Sequence, residues 1–452
     1  MTNVLYTESD IDLTESYLSK EYFIDVYDSL PDSLKQPVLF STASPVGFVY
    51  DGTYPGQHSS PTQVISTQTN WRKIEMGSGE GVHLLAIKTD GTLWAWGSNI
   101  TYSYNAGPSY ELRFIPSGQI GNNTGVDQSS PVQIGSETTW RKISAGTGVS
   151  AGIKADGTLW TWGSNEYGQL GINAAFGDWR SSPAQVGAGT NWRLVSCGTT
   201  ANTTPHNEVS WRDKRGSNSH MAAIKADGTL WTWGHNGVGE LGLNDANVNR
   251  SSPTQVGSAT NWKLVSCGGQ FTSAIKEDGT LWTWGFNGYN PFGWFNFVEG
   301  ILGLNDNQNY SSPVQVGSNT NWKSISTGVS HSAAIKTDGS LWVWGINEYG
   351  ELGLNDKNDR SSPTQLGFSK NWKDVNASNH CGSIAAGMTT ALKADGTLWA
   401  WGYNRKGALG SSLTEGLPRS YPTQVTGNNW VHISQIFCIK NEVRDSFTNE
   451  RI

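Results

Sequence analysis

The side chains in this chain that could bind metal or move protons are eight histidines, four cysteines and several Asn-Asp pairs. No histidine stands at a metal-ligand spacing, and no Ser-His-Asp, Cys-His or paired-carboxylate set stands out. Asn244-Asp245 with Asn247 and Asn249, Asn305-Asp306, and Asn355-Asp356 with Asn358 and Asp359 resemble fragments of calcium loops. They lack clustered carboxylates and a terminal bidentate Glu, so Asx-turn chemistry is the better reading. Cys197 and Cys267 each fall five residues after a repeated Trp, where other units carry Met76, Ala145, Thr327, Ala377 or Gln435. They read as small interior residues. Cys381 and Cys438 show no CxxC spacing, so no zinc is expected, and no catalysis, metal or cofactor is expected overall. The remaining chemistry is recognition. Tyr102, Tyr104, Tyr110 and Phe114 fall in one segment, Trp211, Arg212, Lys214 and Arg215 in a second, and Tyr289, Phe292, Trp294, Phe295 and Phe297 in a third. Aromatics and Arg are the residues that interface centres use. The alternative is that each segment folds onto its own scaffold.

What positions those segments is a repeat. Asp338-Gly339-Ser340-Leu341-Trp342-Val343-Trp344-Gly345 recurs at 90–97, 156–163, 227–234, 278–285 and 395–402, six copies 51 to 71 residues apart. A second signature, of the form of Ser362-Pro363-Thr364-Gln365-Leu366, occurs seven times, and so does the Trp that follows it: Trp71, Trp140, Trp192, Trp262, Trp322, Trp372 and Trp430. One unit therefore lacks its LWxWG. Phe48-Val49-Tyr50 sits where that motif belongs, and the unit beginning at Trp430 stops after its second strand. The two half-units complement one another.

Each unit reads as four short strands. In the fifth they are 322–328, 331–336, 341–344 and 363–366, with Asp338-Gly339 as a tight hairpin turn. Seven four-stranded antiparallel units are the signature of an all-β seven-bladed propeller. Small residues end strand one, which suits a crowded axis, and Pro opens strand four, which suits a sheet edge. The closing blade would pair 48–64 with 430–440. The three recognition segments are insertions at 100–117, 199–219 and 287–299. Strand alternation puts all three on the face that carries the one-to-two and three-to-four connections.

Residues 1–47 differ from the rest. They hold eight acids and two bases, net −6, against −7 for the whole chain. Leu13, Tyr17, Leu18, Phe23, Val26, Tyr27 and Leu30 recur near helical spacing. This reads as an acidic docking arm with a short helix, Leu18, Tyr22, Phe23, Val26 and Tyr27 being its contact residues, ahead of a propeller at 48–452. No basic tract favours nucleic acid, no 18-residue apolar run favours membrane insertion, and no signal peptide is seen, so a cytoplasmic origin is expected.

The combination LWxWGxNxxGxLG, SSPxQV, NW, IxxG and AAIKxDG over 48–440 resembles the regulator of chromosome condensation repeat family. That resemblance implies a seven-bladed propeller with offset closure. The family's Gly-x-x-His before strand two survives at His83, His220 and His331, while Val149, Phe271 and Met388 replace it elsewhere. These histidines then read as interior hydrogen-bonding residues. Within the family, the near-identical blades and the arm at 21–27 look like repeat propellers in structural proteins of tailed phages. The expected function is a non-enzymatic virion protein, docked on other virion components through 1–47 and presenting its insertion face to a protein or host-surface receptor. The alternatives are a bacterial interaction or adhesion propeller and, more remotely, a GTPase exchange-factor-like regulator.

Overall fold

The structure, a computed structural model, describes residues 70–77, 82–104, 112–199, 219–288, 300–379, 387–404, 409–410, 417–425, 427 and 430. The chain divides into two compact units, Met1–Gln36 and Pro37–Ile452, and every described residue belongs to the second. These residues form six antiparallel sheets of four strands, with one added two-stranded sheet. Blade one consists of Trp71–Met76, His83–Lys88, Leu93–Gly97 and Gln128–Gln133. The first strands of the next five blades begin at Trp140, Trp192, Trp262, Trp322 and Trp372.

The Asp-Gly hairpin between the second and third strands explains why its wording repeats. In blade five, Gly339 N donates to Lys336 O at 2.9 Å and Lys336 N to Ser340 O at 3.0 Å. Gly339 stands at φ +76, the left-handed residue of a bulged tight turn. Asp338 Oδ1 accepts from Ser340 N at 3.0 Å and from its Oγ at 2.6 Å, and that Oγ accepts from Trp342 Nε1 at 2.9 Å. Thr takes the place of Ser340 in the other five blades with the same bonds. The turn also serves the next blade. A Cβ on Gly339 would meet Lys370 O at 2.1 Å, and Trp372 N donates to Gly339 O at 3.1 Å.

Indole rings fill the blades. Trp322 meets Trp342 at 6.1 Å and 77° and Trp344 at 6.2 Å and 62°, both edge-on, while Lys336 Nζ lies 3.8 Å from the Trp342 ring centre. The inner indole of one blade is tied to the preceding one. Trp162, Trp233, Trp284 and Trp401 donate Nε1 to the carbonyls of Gln119, Gln169, Glu240 and Glu351 at 2.8–2.9 Å. These tryptophans are fully buried, and truncating one to Ala would cost about 3–5 kcal/mol. First strands of neighbouring blades pack together. Their exposed-edge N–H groups are satisfied across the seam: Cys197, Cys267, Thr327 and Ala377 donate to Ser144, Ser196, Ser266 and Ser326 Oγ at 3.0–3.1 Å.

Three expectations are corrected. The described residues form six blades where seven were expected. The half-units at 48–64 and 430–440 carry no Asp-Gly-Thr-Leu-Trp hairpin motif, and apart from Trp430 they lie outside the described residues. The first insertion was read as a loop, but Ile100–Tyr104 and Leu112–Pro116 pair as a hairpin. The fourth strand begins before its proline, as Arg360–Gln365, with a register irregularity between Val343 and Gly345 opposite. An edge position and a bulge both accommodate a residue that cannot donate. The arm at 1–47, which had been read as partly helical, lies outside the described residues.

Candidate functional site

The loop face is built from the connection between strands three and four, and an Asn braces each one. In blade five, Asn347 Nδ2 donates to the carbonyls of Asp356 and Asn358 at 3.1 and 3.0 Å, and its Oδ1 accepts from Leu352 N at 2.9 Å. Its own N–H goes to Asp359 Oδ1 at 2.7 Å. Asn99, Asn236 and Asn287 repeat the pattern. Burial raises the Asp359 and Asp127 carboxyls, against the N–H bond each accepts from Asn347 or Asn99. The calcium-like fragments are part of this brace. Asp245 binds Asn236 Nδ2 at 2.7 Å and Arg250 at 2.5 Å, and Asp356 binds Asn347 and Arg360. Asn244, Asn247, Asn305 and Asn355 stand at φ of 61 to 63, the left-handed geometry in which Asn is tolerated. Among the described residues no group of three His, Cys, Asp or Glu is placed to hold a metal ion.

The buried histidines work across seams. His83 Nε2 meets Ser150 Oγ at 2.6 Å, His220 Nε2 meets Thr272 Oγ1 at 2.8 Å, and His331 Nε2 meets Thr389 Oγ1 at 3.0 Å. Each hydroxyl gives its own proton to a carbonyl, of Gln119, Glu240 and Glu351 respectively. The hydroxyls must therefore accept from the rings, which assigns the proton to Nε2 in all three. Histidine-bearing blades alternate with hydroxyl-bearing ones, a pairing that no single repeat reveals. Burial pushes His220 down to about 4. Cys197 and Cys267 are buried free thiols, and burial pushes Cys267 up to about 12 and Cys197 further.

Of the recognition residues read from the sequence, Tyr102 and Tyr104 lie on the hairpin strand Ile100–Tyr104, where Tyr102 pairs with Phe114 in register. Tyr110, Trp211, Arg212, Arg215, Tyr289, Phe292, Trp294 and Phe295 lie outside the described residues, as do Leu18, Tyr22, Phe23, Val26 and Tyr27. The structure adds residues that sequence reading missed. Val126, Phe176, Trp179, Val248 and Leu417 are exposed large apolar side chains, all in three-to-four connections. They belong to blades six, one, two and three, whereas Gln308 and Asn358 stand at the matching point of blades four and five. The signal was available in the sequence as a departure from the Asn-rich wording of the later blades.

The model of the Regulator of chromosome condensation (RCC1) repeat matches residues 156–202, 227–275, 278–335, 338–383 and 395–438, more than half of the chain, and a second model of that repeat matches 140–169, 262–290 and 322–351. The chain belongs to the RCC1 repeat family. It is 28% identical to the ultraviolet-B receptor UVR8 of Arabidopsis thaliana, over 81% of this chain and 73% of that protein. It is 24% identical to the human E3 ubiquitin-protein ligase HERC2 over 65% of this chain, but spans only 5% of the ligase. The crystal structure of Prp20p from Saccharomyces cerevisiae, reported with its binding properties to Gsp1p and histones, superposes at a TM-score of 0.64 with 18% identity and 89% coverage of both chains. That likeness establishes the fold. The resemblance to phage structural proteins finds no support among these relatives.

Proposed function

We propose that this chain is a protein-binding propeller without a catalytic centre of its own, engaging its partner on the face that carries the insertions. The carrying observation is the set Val126, Phe176, Trp179, Val248 and Leu417, exposed on the same connections that are braced rigidly from below by buried Asn side chains. Side chains held on a rigid scaffold lose little entropy on binding. The RCC1 relatives support a binding role, the yeast structure being reported with protein partners. The test is the double variant Phe176→Ser with Trp179→Ser, compared with wild type in affinity capture from extract of the source cells. Loss of the captured partner at an unchanged melting midpoint is expected; retention of the partner would remove this face from the proposal.

The same reading includes a seventh blade. Trp430 N donates to Gly396 O at 3.1 Å, as Trp372 N does to Gly339 O, and Trp430 packs on the cluster of Met388, Leu392 and Leu398. Asn376 stands where Ser144, Ser196, Ser266 and Ser326 accept from the next blade, and its Oδ1 is buried without a partner among the described residues. Removing residues 430–452 should lower the unfolding midpoint sharply, and an unchanged midpoint would count against closure. A place in a virion, with Leu18, Tyr22, Phe23, Val26 and Tyr27 docking on virion components, is the finer form of the proposal. It draws on the near-identical blades and the wording and composition of the arm, and mass spectrometry of purified particles tests it.

A further inference from the structure

A groove of about 470 Å³ lies between blades five and six, bounded on one side by Gly353, Leu354 and Asn355 of the blade-five three-to-four connection. Leu366, Ser369, Trp372, Lys393, Trp399 and Pro422 line it. Two exposed aromatic residues adjoin its lining in sequence, Phe368 between Gly367 and Ser369 and Tyr421 before Pro422, and each is a departure from the repeat. Phe368, 98% exposed, stands in the turn where blades one to four carry Ser136, Ala188, Ser258 and Ser318. Tyr421, 47% exposed, stands where the five preceding blades carry Ser130, Ser182, Ser252, Ser312 and Ser362. Repeats that agree almost letter for letter depart here twice, both times from a small residue to an exposed aromatic beside one groove.

Another blade shows what the groove's cation can hold. At the seam of blades one and two, Lys154 Nζ lies 3.6 Å from the Trp160 ring centre, and Glu137 reaches in from the turn to pair with it at 2.5 Å. At the seam of blades five and six, Lys393 Nζ takes the same place, 4.3 Å from Trp399 and 4.9 Å from Trp372. The residue matching Glu137 is Ser369. Among the described residues no carboxylate pairs with Lys393, and Asp395 is turned to Thr397. Lys154 is buried, whereas Lys393 is half-buried and open to the groove. The lysine cation, with exposed aromatic residues next to the lining, complements a carboxylate carried next to an apolar side chain.

We infer that this groove binds an acidic, apolar peptide segment of a partner protein, its Asp or Glu side chain taking on Lys393 the place that Glu137 takes on Lys154, and its neighbouring apolar side chain lying against Phe368 and Tyr421. The full chain is titrated at low salt with a short, acetylated and amidated fluorescent peptide alternating glutamate with phenylalanine, and with its glutamine counterpart. The glutamate peptide is expected to bind at least about tenfold tighter than the glutamine one. Ser369→Glu, which restores the blade-two arrangement and fills the groove from within, and Phe368→Ser, which restores the repeat, should each weaken binding about tenfold or more, with melting midpoints unaltered. No binding by wild type, equal binding of the two peptides, or wild-type affinity in Ser369→Glu would each overturn the inference. Because Phe176 and Trp179 lie in the blade-two connection and line no part of this groove, Phe176→Ser with Trp179→Ser should bind this peptide normally.

Discussion

Glu240 in blade three and Glu351 in blade five occupy one position of one loop, immediately before the Leu-Gly pair that closes it, and both are buried. Their carbonyls do the same work, each accepting a Thr hydroxyl and a Trp indole from the following blade. Their carboxyls do not. Burial pushes Glu240 up, yet the hydrogen bond and charge of His235 at 2.5 Å, with His220 and the Val238 N–H, outweigh it and hold the group below the usual carboxylate range. Blade five has Ile346 in place of His235. There burial prevails over the N–H bonds from Gly387 and Tyr349, and Glu351 is pushed up to about 8. A repeat position thus fixes a backbone role, while the charge state of its side chain is set by a residue five positions away.

His235→Ile, which turns blade three into blade five, should have the largest effect. Glu240 loses its partner inside the protein, and the variant should be destabilised by about 3 kcal/mol at neutral pH in chemical denaturation. Carboxyl carbon NMR should show Glu240 moving from the lowered to the raised side, and a Glu240 signal that stays put would break the comparison. Glu351→Gln should act in the opposite direction. Below pH 4.5 wild-type Glu351 is protonated in both states; as pH rises toward about 8 the unfolded chain ionises while the native carboxyl keeps its proton, and stability is lost. Gln, already present at this position as Gln119 and Gln169, does not titrate. The variant should match wild type near pH 4 and exceed it by a margin that grows toward pH 8, at up to about 1.4 kcal/mol per pH unit. A constant difference across that range would show that Glu351 is not the titrating group.

Asp338→Asn gives the smallest expected change and serves as the contrast, since all six blades share this Asp. The hydrogen bond from the Ser340 hydroxyl, with that from its N–H, holds Asp338 down at about 2. Its contribution is complete above the unfolded value of 3.8 and lost as pH falls through about 2. The position is solvent-facing, so the variant should lose only about 0.5 kcal/mol at pH 7 and show a flatter acid limb. A loss as large as that of His235→Ile would mean that the turn carries blade docking as well as its own hairpin.

The sequence by itself determined the blade. Asp-Gly-Thr-Leu-Trp specifies a bulged hairpin within eight residues, through bonds between side chains two apart, and such local geometry is legible wherever the wording recurs. Four-strand units, their order, and the edge position of the proline-bearing strand follow from the same short-range rules. What only the tertiary structure decided lies between blades: the His–hydroxyl pairs of 52 to 67 residues' separation, the Ser side chains that satisfy the next blade's first strand, the opposite fates of Glu240 and Glu351, and the groove in which Ser369 leaves Lys393 unpaired. The hairpin at 100–116 belongs with them, since its aromatic residues read equally well as loop until the strands pair. The reason is that a repeat encodes its own strands by period and turn chemistry, whereas a seam joins residues from two copies. Whether a buried carboxyl meets a histidine or an isoleucine, or a lysine meets a glutamate or open space, depends on which variant of each copy the neighbouring blade brings against it.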